Sequence, residues 1–200
     1  SIEELARVAS AFARLGTKRF RLTGGEPLLR KGLADLAAEI NRQPGVEDIS
    51  LTTNGTQLGK QAHQLRAAGV RRLNISLDSL RRDRFEQMTR RDELERVLDG
   101  IEAAKEAGFS PVKINAVVER GVNDDEIVDL ARFGRERGVQ VRFIEFMPLD
   151  ASGHWMNEKV VGQDEIVAAI HEVFPLEALP PQGAAPASEW RYLDGAGTVG

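Results

Sequence analysis

The chain has 200 residues, enough for one substantial core and short of the roughly 250 residues of a complete α/β barrel. Its net charge of −4, with 42% apolar and 29% charged residues, is an ordinary globular composition and excludes a general nucleic-acid surface, so any cationic chemistry has to be local. No apolar run approaches the roughly 20 residues of a membrane helix, the opening residues carry no signal-peptide pattern, and the absence of cysteine removes disulfides and thiolate metal sites.

Ser1 opens directly onto an amphipathic helix, which leads us to expect a segment of a longer protein. A unit of helix, glycine stop and short strand then repeats through residues 1–147. Ile2, Leu5, Val8, Ala9 and Phe12 form a helical stripe ending at Gly16, before a strand over Arg19–Thr23. Leu33, Leu36, Ala37 and Ile40 lead to Pro44-Gly45 and a strand over Asp48–Asn54. Leu65 and Ala68 lead to Gly69 and Arg72–Asp78; Leu94, Val97, Leu98, Ile101 and Ala104 lead to Gly108 and Val112–Val118. Ile127, Leu130, Ala131 and Phe133 lead to Gly138 and Val139–Met147. Glycine after a helix is the expected left-handed C-cap. The stops are 29, 24, 39 and 30 residues apart, a spacing of αβ units that implies a parallel sheet with right-handed crossovers.

After Met147 the regularity breaks. Residues 148–162 read as a loop and Gln163–Val173 as a helix with Ile166, Val167 and Ile170 on one face. Pro175, Pro180, Pro181 and Pro186 then mark a linker-like stretch, with an isolated strand expected over Glu189–Leu193. This divides the chain into a barrel-like core, 1–147, and the start of a C-terminal region, 148–200.

Buried parallel strands usually read as continuous apolar runs, and these alternate instead. Arg19, Arg21 and Thr23; Ser50, Thr52 and Asn54; Asn74, Ser76 and Asp78; Lys113 and Asn115; and Gln140 and Arg142 each share a strand with apolar residues one step out of phase. Period-two geometry gives every strand an apolar side for helices and a polar side for something else. A closed eight-strand barrel fills its interior with Val, Ile and Leu, and the cations Arg21, Lys113 and Arg142 cannot pack dry there. An open, incomplete barrel around a wet concave site accommodates them, and cations from three strands of an acidic protein ask for a polyanion. The competing arrangement is a solvent-facing sheet with Arg21 paired to Glu26 or Asp78. At the end of the first strand, Gly24-Gly25 offers bare backbone to a ligand, and Pro27 stops the strand.

Thr23-Gly24-Gly25-Glu26-Pro27, Thr52-Thr53-Asn54-Gly55 and Asn74-Ile75-Ser76-Leu77-Asp78 together resemble the radical S-adenosylmethionine (SAM) enzymes. With Arg21-Leu22 and Leu28-Leu29-Arg30 around the first block, Lys113-Ile114-Asn115, and Arg142-Phe143-Ile144-Glu145-Phe146-Met147-Pro148, the likeness narrows to the GTP 3′,8-cyclase family of molybdenum cofactor biosynthesis, over about residues 1–199. The resemblance implies an α/β fold, an incomplete TIM-type barrel of parallel strands with outer helices. It implies SAM binding by Gly25, Ser76 and Met147, with Gly24 and Glu26 in the same loop, and GTP binding by Arg21, Thr52, Lys113 and Arg142, with Asn115 as neighbour. It also implies two 4Fe-4S clusters in the whole protein, a homodimer, a reductant protein, a downstream enzyme forming cyclic pyranopterin, and a cytoplasmic location. In the family a reduced cluster cleaves SAM to a 5′-deoxyadenosyl radical, which takes the ribose 3′ hydrogen of GTP before the sugar carbon attacks C8 of guanine; the protein orients the partners and excludes water.

The chain departs from the family in having no cysteine for either cluster. The cysteine loop is expected before Ser1 and the second set after Gly200. The segment is therefore expected to be inactive alone, with no catalytic or metal-binding residue of its own and with GTP affinity weakened by loss of the basic tail.

Other residues have plainer readings. His63, His154 and His171 lack companions at metal-ligand spacing. Asp124, Asp125 and Glu126 follow Asn123 as expected helix-capping and dipole-compensating groups. Arg81, Arg82, Arg84, Arg90 and Arg91 suit a solvated face or salt-bridge network. Trp155 and Met156 line an active-site mouth or anchor a loop, and Glu145 is a candidate carboxylate on the side of its strand opposite Arg142. Two other functions stay open at this point: a Schiff-base sugar-phosphate aldolase using Lys113, and a non-catalytic nucleotide-binding module.

Overall fold

The computed structural model describes residues 1–147, 157–181 and 187–200. In chain order the elements are α1 (Ile2–Arg14), β1 (Arg19–Leu22), α2 (Leu33–Asn41), β2 (Asp48–Thr53), α3 (Leu58–Ala67), β3 (Arg72–Ser76), α4 (Arg82–Thr89), α5 (Leu94–Glu106), β4 (Val112–Val118), α6 (Ile127–Arg137), β5 (Gln140–Glu145), α7 (Gln163–Val173), β6 (Leu176–Ala178), β7 (Trp190–Tyr192) and β8 (Thr198–Val199). The five glycines expected to stop helices all have positive φ, the conformation that glycine adopts without steric penalty. The chain divides into two units, Ser1–Ser76 with Glu95–Val112, and Leu77–Leu94 with Lys113–Gly200.

In the first unit β1, β2 and β3 pair in parallel, with Arg21 beside Ser50 and Thr52 beside Asn74. Ile49, Leu51, Leu73 and Ile75 are fully buried, as are Leu58, Leu65 and Ile101 from the helices. These strands owe their stability to that apolar side. The α1 stripe divides: Ala9 and Ala13 are buried, while Leu5, Val8, Phe12 and Leu15 are exposed among the described residues. The apolar arc of α1 is wider than the face it turns toward α2, because residues at i, i+3 and i+7 lie around the cylinder from Ala9 and Ala13.

In the second unit β4 and β5 pair in parallel, Lys113 beside Gln140 and Asn115 beside Arg142. Burial alternates without exception along β4. The last strands correct two expectations. Trp190–Tyr192 is the middle of a three-stranded antiparallel sheet, β6-β7-β8, and not isolated; the proline-marked stretch supplies β6. That sheet has its own core, in which Ile166, Ile170, Leu176, Tyr192 and Val199 pack with Val118 and Ile127. Phe174 and Tyr192 meet edge to face at 6.2 Å, and the Arg135 guanidinium lies 4.3 Å and 4.5 Å from their ring centroids, a cation–π arrangement. Beyond β8 the chain returns to β5: the Gly200 N–H donates to the Val141 carbonyl at 3.0 Å and Phe143 N–H to the Gly200 carbonyl at 2.8 Å.

Candidate functional site

In the first unit the loop after β1 is held by one carboxylate. Glu26 Oε1 accepts from the Leu28 N–H at 2.9 Å and the Thr53 hydroxyl at 2.7 Å, and Oε2 accepts from the Asn54 N–H at 2.7 Å. Glu26 thereby ties the Gly-Gly loop to the end of β2, and its side chain is engaged by the protein. What this loop leaves open is backbone. Gly24 has φ +149°, and an added Cβ at Gly24 or Gly25 would meet nothing within 4 Å, so bare amide backbone faces open space.

The polar side of β1–β3 carries Arg21, Ser50, Thr52, Asn74 and Ser76. Ser50 and Asn74 are buried, Thr52 is half-buried, and Arg21 and Ser76 are exposed. Because all three donors on Glu26 come from Leu28, Thr53 and Asn54, Arg21 is not its partner. Asp78 takes its hydrogen bond from the Val117 N–H at 2.8 Å. The guanidinium of Arg21 is therefore presented and not consumed in either pairing.

In the second unit Lys113, Asn115, Gln140 and Arg142 share one face of the β4–β5 ladder. A carboxylate from the residue just before β7 reaches them. Glu189 Oε1 lies 2.9 Å from Arg142 Nη2, 3.1 Å from Gln140 Nε2 and 3.9 Å from Lys113 Nζ. Gln140 Nε2 also donates to the Thr198 hydroxyl at 2.9 Å. Burial pushes the Glu189 carboxyl up, but the hydrogen bonds from Arg142 and Gln140 and the charge of Lys113 outweigh it and hold the group below its usual range. Arg142 Nε is buried with no hydrogen-bond partner among the described residues. Sequence reasoning brought Lys113, Asn115 and Arg142 together and missed Glu189; a lone acid after a proline-rich stretch gives no signal of where it folds back.

The loop after β3 is buried and polar. Asn123 Nδ2 donates to the carbonyls of Asp78 and Val117, and its Oδ1 accepts from the Glu119 N–H. Asn123 therefore closes a loop and does not cap the helix. The acidic triplet also departs from the capping expectation. Asp124 accepts from the Gly121 N–H, Asp125 pairs with Arg81 and Arg84, and Glu126 is buried against Ser79, Leu80 and Arg84. Burial raises the Asp78 carboxyl above its ordinary value, partly offset by the Val117 N–H. A carboxyl with a raised folded-state pKa destabilises the fold once ionised, so its penalty is present above the folded pKa and vanishes below the unfolded one. Asp78→Asn, which still accepts from Val117, is expected to raise the denaturation midpoint slightly at pH 7. That advantage should disappear as pH falls through the raised pKa toward the unfolded value near 3.8, and a thermal-melt pH series checks it.

Glu145 is exposed and accepts from the Gln163 N–H at 2.8 Å, serving the N-terminus of α7 where Gly162 has no side chain to cap it. His63 is exposed, and His171 Nδ1 accepts from the Leu176 N–H at 3.0 Å. No group of three metal-ligating side chains occurs among the described residues, and no helix among them is long and apolar enough to cross a membrane. His154, Trp155 and Met156 lie outside the described residues; Met147 is 52% exposed. The arginine cluster forms the helix α4 and an ion-pair network, with Arg82 on Asp92 at 2.7 Å, Arg81 on Asp125 at 3.1 Å and Arg84 on Glu126 at 2.7 Å.

Parallel strands with helices between them, a glycine loop at a strand end and cations on the polar strand faces define an α/β protein of the partial TIM-type barrel class. The chain belongs to the radical SAM superfamily, whose family model matches residues 1–134. It is 49% identical over 199 residues to a GTP 3′,8-cyclase of Pseudomonas putida strain KT2440, covering 99% of this chain and 60% of that protein. It is 46% identical over 200 residues to a GTP 3′,8-cyclase of Moorella thermoacetica, covering 100% of this chain and 62% of that protein. The chain thus spans about 60% of the length of these curated relatives. Among solved structures, methylornithine synthase shares the fold with a TM-score of 0.63 at 17% identity, over 88% of this chain and 53% of that one.

Membership implies SAM and a 4Fe-4S cluster as the family's cofactors. The open backbone at Gly24-Gly25 leaves room for a ligand. The 200 residues contain no cysteine, so they do not fit a cluster, which needs thiolate ligands.

Proposed function

We propose that this chain is the core of a GTP 3′,8-cyclase, converting GTP to (8S)-3′,8-cyclo-7,8-dihydroguanosine 5′-triphosphate in molybdenum cofactor biosynthesis. The relatives that bear that name are 46–49% identical over nearly the whole chain. The observation that carries the reading is the β4–β5 face, where Lys113 and Arg142 stand on neighbouring strands and Asn115 is paired in register with Arg142. Two cations and an amide on one rigid ladder suit the oxygens of a triphosphate. Arg21 and Thr52, on the polar side of β1 and β2, complete the GTP set. Gly25, with Gly24 and the Glu26-anchored loop, holds the methionine end of SAM, and Ser76 and Met147 provide its other contacts. SAM supplies the radical chemistry when bound. The protein's part is to fix the triphosphate, and remote binding energy then supports reaction at the sugar.

The reductant protein, the downstream enzyme that forms cyclic pyranopterin, a homodimer and a cytoplasmic location belong to the same proposal for the whole protein, as does inactivity of this cysteine-free segment alone. The aldolase alternative loses ground because Lys113 sits in an ion pair with Glu189, not desolvated among apolar side chains as a Schiff-base lysine requires.

In the full-length protein, Lys113→Ala or Arg21→Ala is expected to weaken GTP binding about 10- to 100-fold, the worth of one charge-assisted hydrogen bond. SAM cleavage measured without GTP should be retained. Calorimetry showing unchanged GTP affinity in both variants would remove these residues from the triphosphate site.

A further inference from the structure

Glu189 stands in the place where the proposed function needs a phosphate. A single oxygen, Oε1, serves Arg142 at 2.9 Å, Gln140 at 3.1 Å and Lys113 at 3.9 Å. The contact with Arg142 is one-point, through Nη2, while Nε of the same guanidinium is buried with no partner among the described residues. A guanidinium offers its donors as a fork that suits two oxygens of one anion, and the carboxylate as placed satisfies one prong. The group is thus a partial match to the cations it neutralises, and a buried donor left without a partner keeps a standing cost.

We propose that Glu189 is a placeholder anion, which neutralises Lys113 and Arg142 and is exchanged for a phosphate group when a nucleoside triphosphate binds. The inference rests on the reading of the β4–β5 face as the triphosphate site. A phosphate carries several oxygens and can engage both Nη2 and Nε of Arg142 together with Lys113, which the single Glu189 oxygen does not. The exchange also sets a charge threshold. An incoming ligand must outcompete a carboxylate that is already in place, so weakly charged nucleotides are disfavoured relative to a triphosphate. Glu189 immediately precedes β7, and its partner Gln140 is bonded to Thr198 of β8. The Glu189 carbonyl accepts from the Leu179 N–H at 2.8 Å, so its backbone is held and leaving Arg142 is a side-chain movement that spares the core around Tyr192 and Val199.

The test is isothermal titration of the full-length protein with GTP and with inorganic triphosphate, comparing wild type with Glu189→Gln, Lys113→Ala and Arg142→Ala. Glutamine keeps an oxygen that accepts from Arg142 and Gln140 and removes only the competing charge. Glu189→Gln is expected to bind both ligands about tenfold more tightly, between the scale of a fully solvated charge pair and that of one near a protein surface. Glu189→Ala should move affinity in the same direction, and it replaces Glu189→Gln as the readout if the glutamine variant melts early. Unchanged or weaker binding in the Glu189 variants, with weaker binding in Lys113→Ala and Arg142→Ala, would overturn the placeholder and leave the triphosphate site standing. No loss of binding in either cation variant would overturn the triphosphate site itself.

Discussion

Gly100→Ala in the full-length protein is expected to cost about 2–4 kcal/mol of stability, although alanine is the better helix former by about 1 kcal/mol. Gly100 is buried within α5, and a Cβ built there would lie 2.3 Å from the Gly55 carbonyl oxygen and 3.2 Å from Leu58 Cβ. The obstacle is backbone, which cannot rotate away as a side chain does. Gly55 mirrors the constraint: it has φ +83°, and its own Cβ would meet Ile75 Cγ2 at 2.9 Å. Two glycines thus let α5 press onto the turn that follows Thr52-Thr53-Asn54, the same turn that Glu26 grips through Asn54. Alanine at Gly100 pushes α5 off this turn and loosens the loop that carries Gly24 and Gly25. The control is Gly59→Ala in α3, where an added Cβ meets nothing within 4 Å; it should be neutral or stabilising by up to about 1 kcal/mol. Urea midpoints of the two variants measure the contrast, and equal midpoints would sink the packing argument.

The parts of the fold legible in the sequence are those governed by local periodicity. Val112–Val118 and Gln163–Val173 have the same bounds in sequence and structure, because alternation and the 3.6-residue period report directly on burial. The polar strand faces were legible for the same reason, down to Lys113, Asn115 and Arg142 on one side. What escaped depends on residues far apart in the chain. Helix α4 buries only Phe85 and draws on ion pairs from residues such as Asp125, so it has no apolar period to read. Strand β7 is three residues long and finds partners on both sides, which no short pattern announces. Glu189 reaches Arg142 across 47 positions, and Glu126 reaches Ser79 across 47 as well. A carboxylate beside other carboxylates reads as solvated surface until the chain is folded.

Glu126→Ala is expected to be the most damaging single change, about 3–5 kcal/mol, the usual cost of breaking a buried charge pair from one side. Glu126 is 1% exposed, and both of its oxygens are taken. Oε1 accepts from the Ser79 hydroxyl and from Arg84 Nη1, each at 2.7 Å, and Oε2 accepts from the Leu80 N–H at 2.7 Å. Alanine leaves the Leu80 amide without its acceptor, leaves the Ser79 hydroxyl only the Arg81 carbonyl at 3.3 Å, and leaves Arg84, 20% exposed, to Asp125 alone. Glu126→Gln keeps the volume but sets an NH2 group against the Leu80 N–H or the Arg84 guanidinium, so it should recover only part of the loss. The double-mutant cycle with Arg84→Ala separates the ionic part from the two hydrogen bonds, and coupling above about 1 kcal/mol is expected for groups in direct contact. These bonds fix Ser79 and Leu80 directly after Leu77-Asp78, and Leu77 N–H is bonded to the Asn115 carbonyl at 3.0 Å. Losing Glu126 therefore loosens the segment that enters the β4 ladder beside Asn115, and GTP affinity in the full-length protein should fall with stability. A Glu126→Ala variant that unfolds at the wild-type urea midpoint would show that this buried carboxylate does not hold the loop.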